Sequence, residues 1–142
     1  MINSLLFILL LGSANPQVYT DTVDNFQIYI QKQLRMNESG FGSATTGENL
    51  LLLTKANWND SLEIDYNHCI FGASLRRIKL IDESKSVIFE LNFPDKSVQR
   101  LMPISIRQLL AILKQKRTVS LYYFDNQIPQ GRLLTAIQLE KI

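Results

Sequence analysis

The hydrophobic positions of this chain follow two different periods, and the change of period divides it. In residues 18–36, Tyr19, Val23, Phe26, Ile30 and Leu34 recur at steps of four, three, four and four, the spacing of one helical face. That spacing predicts a helix. Phe26, Ile28 and Ile30 also alternate, so a strand competes over those few residues. Residues 37–49 break both patterns. Three glycines with Ser39, Ser43, Thr45 and Thr46 read as a loop or flexible linker.

From residue 50 onward the period is mostly two. Residues 50–54 are a short apolar run suited to a buried strand, and Asn57-Trp58-Asn59-Asp60 reads as a turn. Leu62, Ile64, Tyr66, His68 and Ile70 alternate with Glu63, Asp65, Asn67 and Cys69, as in a half-buried antiparallel strand. Residues 75–81 and 86–93 read as a hairpin closed by Asp82-Glu83-Ser84-Lys85, with Val87, Phe89, Leu91 and Phe93 on one face. Pro94-Asp95 ends it. The helical period returns at Ser105, where Ser-x-x-Gln has the form of a capping box. Ile106, Leu109, Leu110 and Leu113 make the apolar face of that helix, and Lys114, Lys116 and Arg117 gather at its C-terminal end, where cations suit the dipole. Two β-type runs, 119–124 and 132–140, flank a loop punctuated by Pro129 and Gly131.

Together these elements predict an α+β fold: an N-terminal helix, a mainly antiparallel sheet of about five or six strands, one further helix packed on the sheet, and a C-terminal β-hairpin. The period change suggests three parts. Residues 1–14 stand apart, 15–48 form a helical arm and flexible linker, and 49–142 form the sheet domain.

The first part has its own chemistry. Leu5 to Leu11 is unbroken apolar sequence, followed by Gly12-Ser13-Ala14. Small residues at Gly12 and Ala14 match what a signal peptidase accepts before a cut after Ala14. The segment therefore reads as an export signal. The run is far short of the roughly 20 residues a membrane-spanning helix needs, so no permanent membrane span is expected. No Lys or Arg precedes the run, and the segment is short for a signal, which keeps a second reading open: a strand or helix of the core.

Composition narrows the classes. With 46% hydrophobic and 20% charged residues in 142, the chain suits one globular domain and not disorder. Net charge is +2, but residues 1–66 carry −4 and residues 67–142 carry +6. Arg76, Arg77, Lys79, Lys114, Lys116 and Arg117 are the candidate partner surface within the basic half. The alternative for the first three is edge protection, charges on an outer strand that deter pairing. Nucleic acid is not expected, because it favours a denser patch. Tyr122, Tyr123 and Phe124 lie near the basic stretch 114–117, but packing in a core strand accounts for them.

Several chemistries are excluded. One histidine and one cysteine cannot build the usual four-ligand zinc site or an internal disulfide. No phosphate-cradling glycine loop, no H-E-x-x-H and no nucleophile elbow occur. His68 and Cys69 are neighbours in a strand and point to opposite faces, so they do not form a catalytic pair. His68 is expected as a packed or rim histidine, and Cys69 as a half-buried strand thiol. Glu63 and Asp65 share a strand face at about 6–7 Å, the spacing of a glycosidase pair, although solvated outward carboxylates are the commoner outcome. Asn37-Glu38-Ser39 and Asn59-Asp60-Ser61 are glycosylation sequons, relevant only in a eukaryotic secretory pathway.

The function these observations point to is an exported, secreted or periplasmic, non-enzymatic module that binds a protein partner and needs no cofactor. The alternative is an uncleaved structural subunit of an assembled particle or oligomer, with the Leu5–Leu11 run buried against its neighbours. A third reading is a small acid–base enzyme using Glu63 and Asp65.

Overall fold

The computed structural model describes residues 24–39, 50–68 and 72–141. The segment read as an export signal, residues 1–14, lies outside them, as do Cys69 and most of the stretch read as a linker. Strands make up 53% of the described chain and helix 12%. The fold is therefore mostly β, with two sheets and a single α-helix, and not the α+β arrangement of one five- or six-stranded sheet.

No N-terminal helix occurs in the described residues. Where it was expected, β1 (Asn25–Ile30) and β2 (Gln33–Ser39) pair antiparallel. Phe26, Ile28 and Ile30 are buried while their neighbours are half-buried, so the period of two wins. Leu34, which the helical face would bury, is 51% exposed. The turn explains the misreading. Gln31 and Lys32 hold φ of 54° and 60°, as a two-residue primed turn demands. Asn-Gly announces such a turn; Gln-Lys favours helix and hides it.

The first sheet runs β2-β1-β4-β7, with β4 at Ser61–Asn67 and β7 at Met102–Ser105, all antiparallel. The hairpin read as an arm is thus woven into the sheet, Ile28 opposite Ile64. The second sheet runs β3-β9-β8-β5-β6: β3 at Leu50–Leu53, β5 at Arg76–Ile81, β6 at Val87–Phe93, β8 at Thr118–Phe124 and β9 at Arg132–Leu139. β5 pairs with β6 and β8 with β9 antiparallel, while β3 lies parallel to β9. Gly131 (φ 78°) turns the chain into β9, and a Cβ there would overlap the Phe124 ring.

One core joins the sheets. Phe26, Ile28, Leu62 and Ile64 of the first cluster with Ile78, Leu80, Leu121 and Ile137 of the second. The helix α1 (Ile106–Gln115) adds Ile106, Leu109, Leu110 and Leu113 and touches both β7 and β9, so it bridges the sheets. Ser105 is its N-cap residue, but its side chain makes no cap hydrogen bond, so the capping box does not form. Instead the Ile106 amide donates to the Asp60 carbonyl at 3.1 Å, which satisfies one of the helix's first amides.

Candidate functional site

Three residues distant in sequence meet where the two sheets join. Asp24 precedes β1, His68 follows β4 and Asp125 follows β8. His68 Nδ1 lies 3.0 Å from Asp24 Oδ1, and Nε2 lies 2.5 Å from Asp125 Oδ2. The side chains of His68, Asp24 and Asp125 are 4%, 9% and 0% exposed. Around them, Tyr66 donates to Asp24 Oδ2 at 2.8 Å and Tyr123 donates to Asp125 Oδ2 at 2.7 Å. The two tyrosine rings, one from each sheet, stack with centroids 4.0 Å apart. Arg132 Nη1 donates to Tyr66 Oη at 3.0 Å and stands 3.9 Å from Asp24 Oδ2. The remaining Asp125 oxygen accepts the amides of Gln127 and Ile128, both at 2.8 Å, which folds the loop after β8.

The charge state follows from this geometry. Both ring nitrogens of His68 face carboxylate oxygens, which only accept, so both nitrogens carry a proton and the ring is an imidazolium. Burial works to lower the His68 pKa, but Asp125 and then Asp24 outweigh it and hold it above its usual 6.5. Burial pushes the Asp125 carboxyl up, but hydrogen bonds from His68, Tyr123 and two amides bring it down to about 2. Burial, with Asp24 and Asp125 as acceptors, raises both tyrosines. The two carboxylates are balanced by His68 and Arg132, so the seam holds no net charge. A histidine donating from both nitrogens has no lone pair to take a proton from a substrate. The network ties together the residue before β1, the residue after β4 and the residue after β8.

The sequence-predicted cations go to several places. β5 is an interior strand, between β8 and β6, so its cations do not guard an edge. Arg76 is 1% exposed and points inward, donating to the carbonyls of Pro94 (3.0 Å), Gln99 (2.6 Å) and Arg100 (2.8 Å). It pins the β6–β7 connection and is not surface. Arg77 and Lys79 point outward, 4.0 and 3.5 Å from Glu90, and flank the Phe124 ring at 5.8 and 4.8 Å. Lys114 lies 5.8 Å from the Trp58 ring, which Arg107 also flanks at 5.1 Å. Lys116 pairs with Asp82 at 2.9 Å, and Arg117 is exposed. The six therefore form no single patch.

Glu63 and Asp65 do share a face of β4, but their states differ. Glu63 is half-buried. Asp65 is 1% exposed beneath Arg100 (2.6 Å) and Lys96 (3.3 Å). Burial works to raise its pKa, but those two cations lower it below the usual carboxylate range. Asp65 is thus a fixed counter-ion to the β6–β7 connection. Asn37 and Asn59 of the two sequons are exposed.

The outer face of the five-stranded sheet is the other notable surface. Tyr122 and Phe124 lie there, on the opposite side of β8 from buried Tyr123. They join Arg77, Lys79 and the exposed Leu50, Leu52 and Leu133, which are 43%, 48% and 44% accessible. A shallow depression of about 240 Å³ near one end of β9 is lined by Thr54, Lys55, Leu139 and Glu140. Among the described residues no His, Cys, Asp or Glu cluster is arranged to hold a metal ion, and no helix is long and apolar enough to cross a membrane. Set against known proteins, this mostly-β, two-sheet chain matches no family model, no curated protein and no solved structure.

Proposed function

We propose that this chain is an exported, non-enzymatic binding module, and that it meets its protein partner with the outer face of the five-stranded sheet. The observation that carries the reading is the company Tyr122 and Phe124 keep. Two aromatics and three exposed leucines share a face with Arg77 and Lys79. Apolar residues grouped on a sheet's solvent side mark contact surfaces more often than scattered ones do. Aromatic and arginine side chains are the usual anchors of such contacts. A partner of matching chemistry presents apolar side chains bordered by carboxylates. The buried seam supports the same reading, because its His68 is occupied at both nitrogens.

Photo-crosslinking in the native host tests it. A photoreactive residue at Leu133 or Leu52 is expected to trap one discrete protein, and the adduct is expected to fade with Lys79→Glu. The same residue at Gln27, on the other sheet, is expected to trap none. Equal trapping from both sheets sinks the surface. A turnover activity of the purified chain that survives repurification but is lost in His68→Gln sinks the non-enzymatic reading. Export predicts a mature chain beginning at Asn15, read by mass spectrometry; an intact Met1 counts against it.

A further inference from the structure

β6 ends the five-stranded sheet, and among the described residues no strand pairs with its outer edge. Its inward face is left incomplete. On β5, Arg76, Ile78 and Leu80 are 1%, 0% and 0% exposed. Directly opposite them on β6, Phe93, Leu91 and Phe89 are only half-buried, although they lie on the same face and pack on the same core. The difference is that β5 has a strand on each side and β6 has one. Residues 87–93 contain no lysine and no proline, and the one irregularity in the ladder with β5 lies at the start of the strand, between Val87 and Phe89, leaving Phe89 to Phe93 regular. Glu90 is the single charge on it.

We propose that β6 pairs antiparallel with β6 of a second copy of this chain, joining two five-stranded sheets across a two-fold axis. The charges select the register. A pairing centred on Glu90 sets it against Glu90 of the second copy, and like charges directly opposite are destabilising. A pairing centred on Leu91 sets Leu91 against itself and Phe89 against Phe93, all on the core face. It also sets Glu90 against Asn92 twice, on the solvent face, as donor and acceptor. The strand is thus self-complementary in one register, as a two-fold contact requires. Phe89, Leu91 and Phe93 gain the second neighbour that β5 already has. The contact leaves the outer face of the sheet open, so it stands or falls apart from the proposed partner surface.

Sedimentation velocity of the full chain over a range of concentrations tests the pairing. The wild type is expected to dimerise reversibly. Asn92→Glu faces Arg77 within its own sheet, so the monomer is expected to stay folded, checked by its unfolding midpoint. In the dimer it creates two Glu–Glu oppositions, so its dissociation constant is expected to rise by about tenfold. Asn92→Lys is expected to hold the dimer at least as tightly, and Leu133→Lys to leave it unchanged. A chain that stays monomeric at every concentration overturns the proposal, including one whose edge is filled by an extended segment of another protein. A dimer indifferent to Asn92→Glu overturns it as well.

Discussion

Tyr122 and Tyr123 are adjacent in β8 and belong to two different chemistries. Tyr123 turns into the seam, stacks on Tyr66 and donates a hydrogen bond to Asp125. Tyr122 turns outward, beside Phe124 and its two flanking cations. Both regions mix aromatics with charges. In the seam His68, Asp24 and Asp125 are withdrawn from water, countered and held by hydrogen bonds, with Arg132 half-buried at their rim. On the outer face the ion pairs stand in water, where Glu90 is 36% exposed. The lesson is that residue type alone does not set the worth of a charge; the solvent around it does.

The buried seam is the more sensitive of the two regions. His68→Leu leaves Asp125 buried without a counter-charge and Asp24 with Arg132 alone, and is expected to destabilise the fold by about 3–5 kcal/mol, read from urea unfolding. Arg76→Met removes three hydrogen bonds from a buried guanidinium to the carbonyls of the β6–β7 connection and is expected to cost about 2–3 kcal/mol by the same measurement. Gly131→Ala drives a methyl into the Phe124 ring at a left-handed φ, and is expected to cost about 1–3 kcal/mol while leaving the seam intact. On the outer face, Lys79→Glu sets a second carboxylate directly opposite Glu90 and is expected to cost no more than about 1 kcal/mol, because Glu90 stands partly in water. A large loss there would erase the distinction between the two regions.

The dependence on pH sharpens the contrast. His68 has a folded pKa above its unfolded 6.5, so its stabilisation is complete below that value. It fades as pH rises through the folded value. Asp125 is opposite in sign: its folded pKa of about 2 lies under the ordinary 3.8. Its stabilisation is present above 3.8 and fades as pH falls toward 2. Stability is thus expected to peak between the two, with the unfolding midpoint falling on both sides. His68→Leu is expected to remove the alkaline decline, whereas Lys79→Glu leaves it in place.

Elements that short-range physics decides were legible in the residues alone. The apolar stripe Ile106, Leu109, Leu110 and Leu113 defines α1 because a helix closes on residues three and four away. Alternation did the same for β5 with β6 and for β8 with β9, whose partners are neighbours in sequence, joined by loops 82–86 and 125–131. The N-terminal hairpin was ambiguous because Gln31-Lys32 lacks turn chemistry, and only pairing of β1 with β4 decides in favour of strands. The division into two sheets is likewise a matter of distant partners. The seam was the least legible part. Asp24, His68 and Asp125 have no informative spacing; each is merely a polar residue at a strand's end. Alone, each is a cost to bury. Tertiary structure turned three costs into one satisfied network by bringing the His68 ring nitrogens within 3.0 Å of both carboxylates, a distance no local pattern encodes.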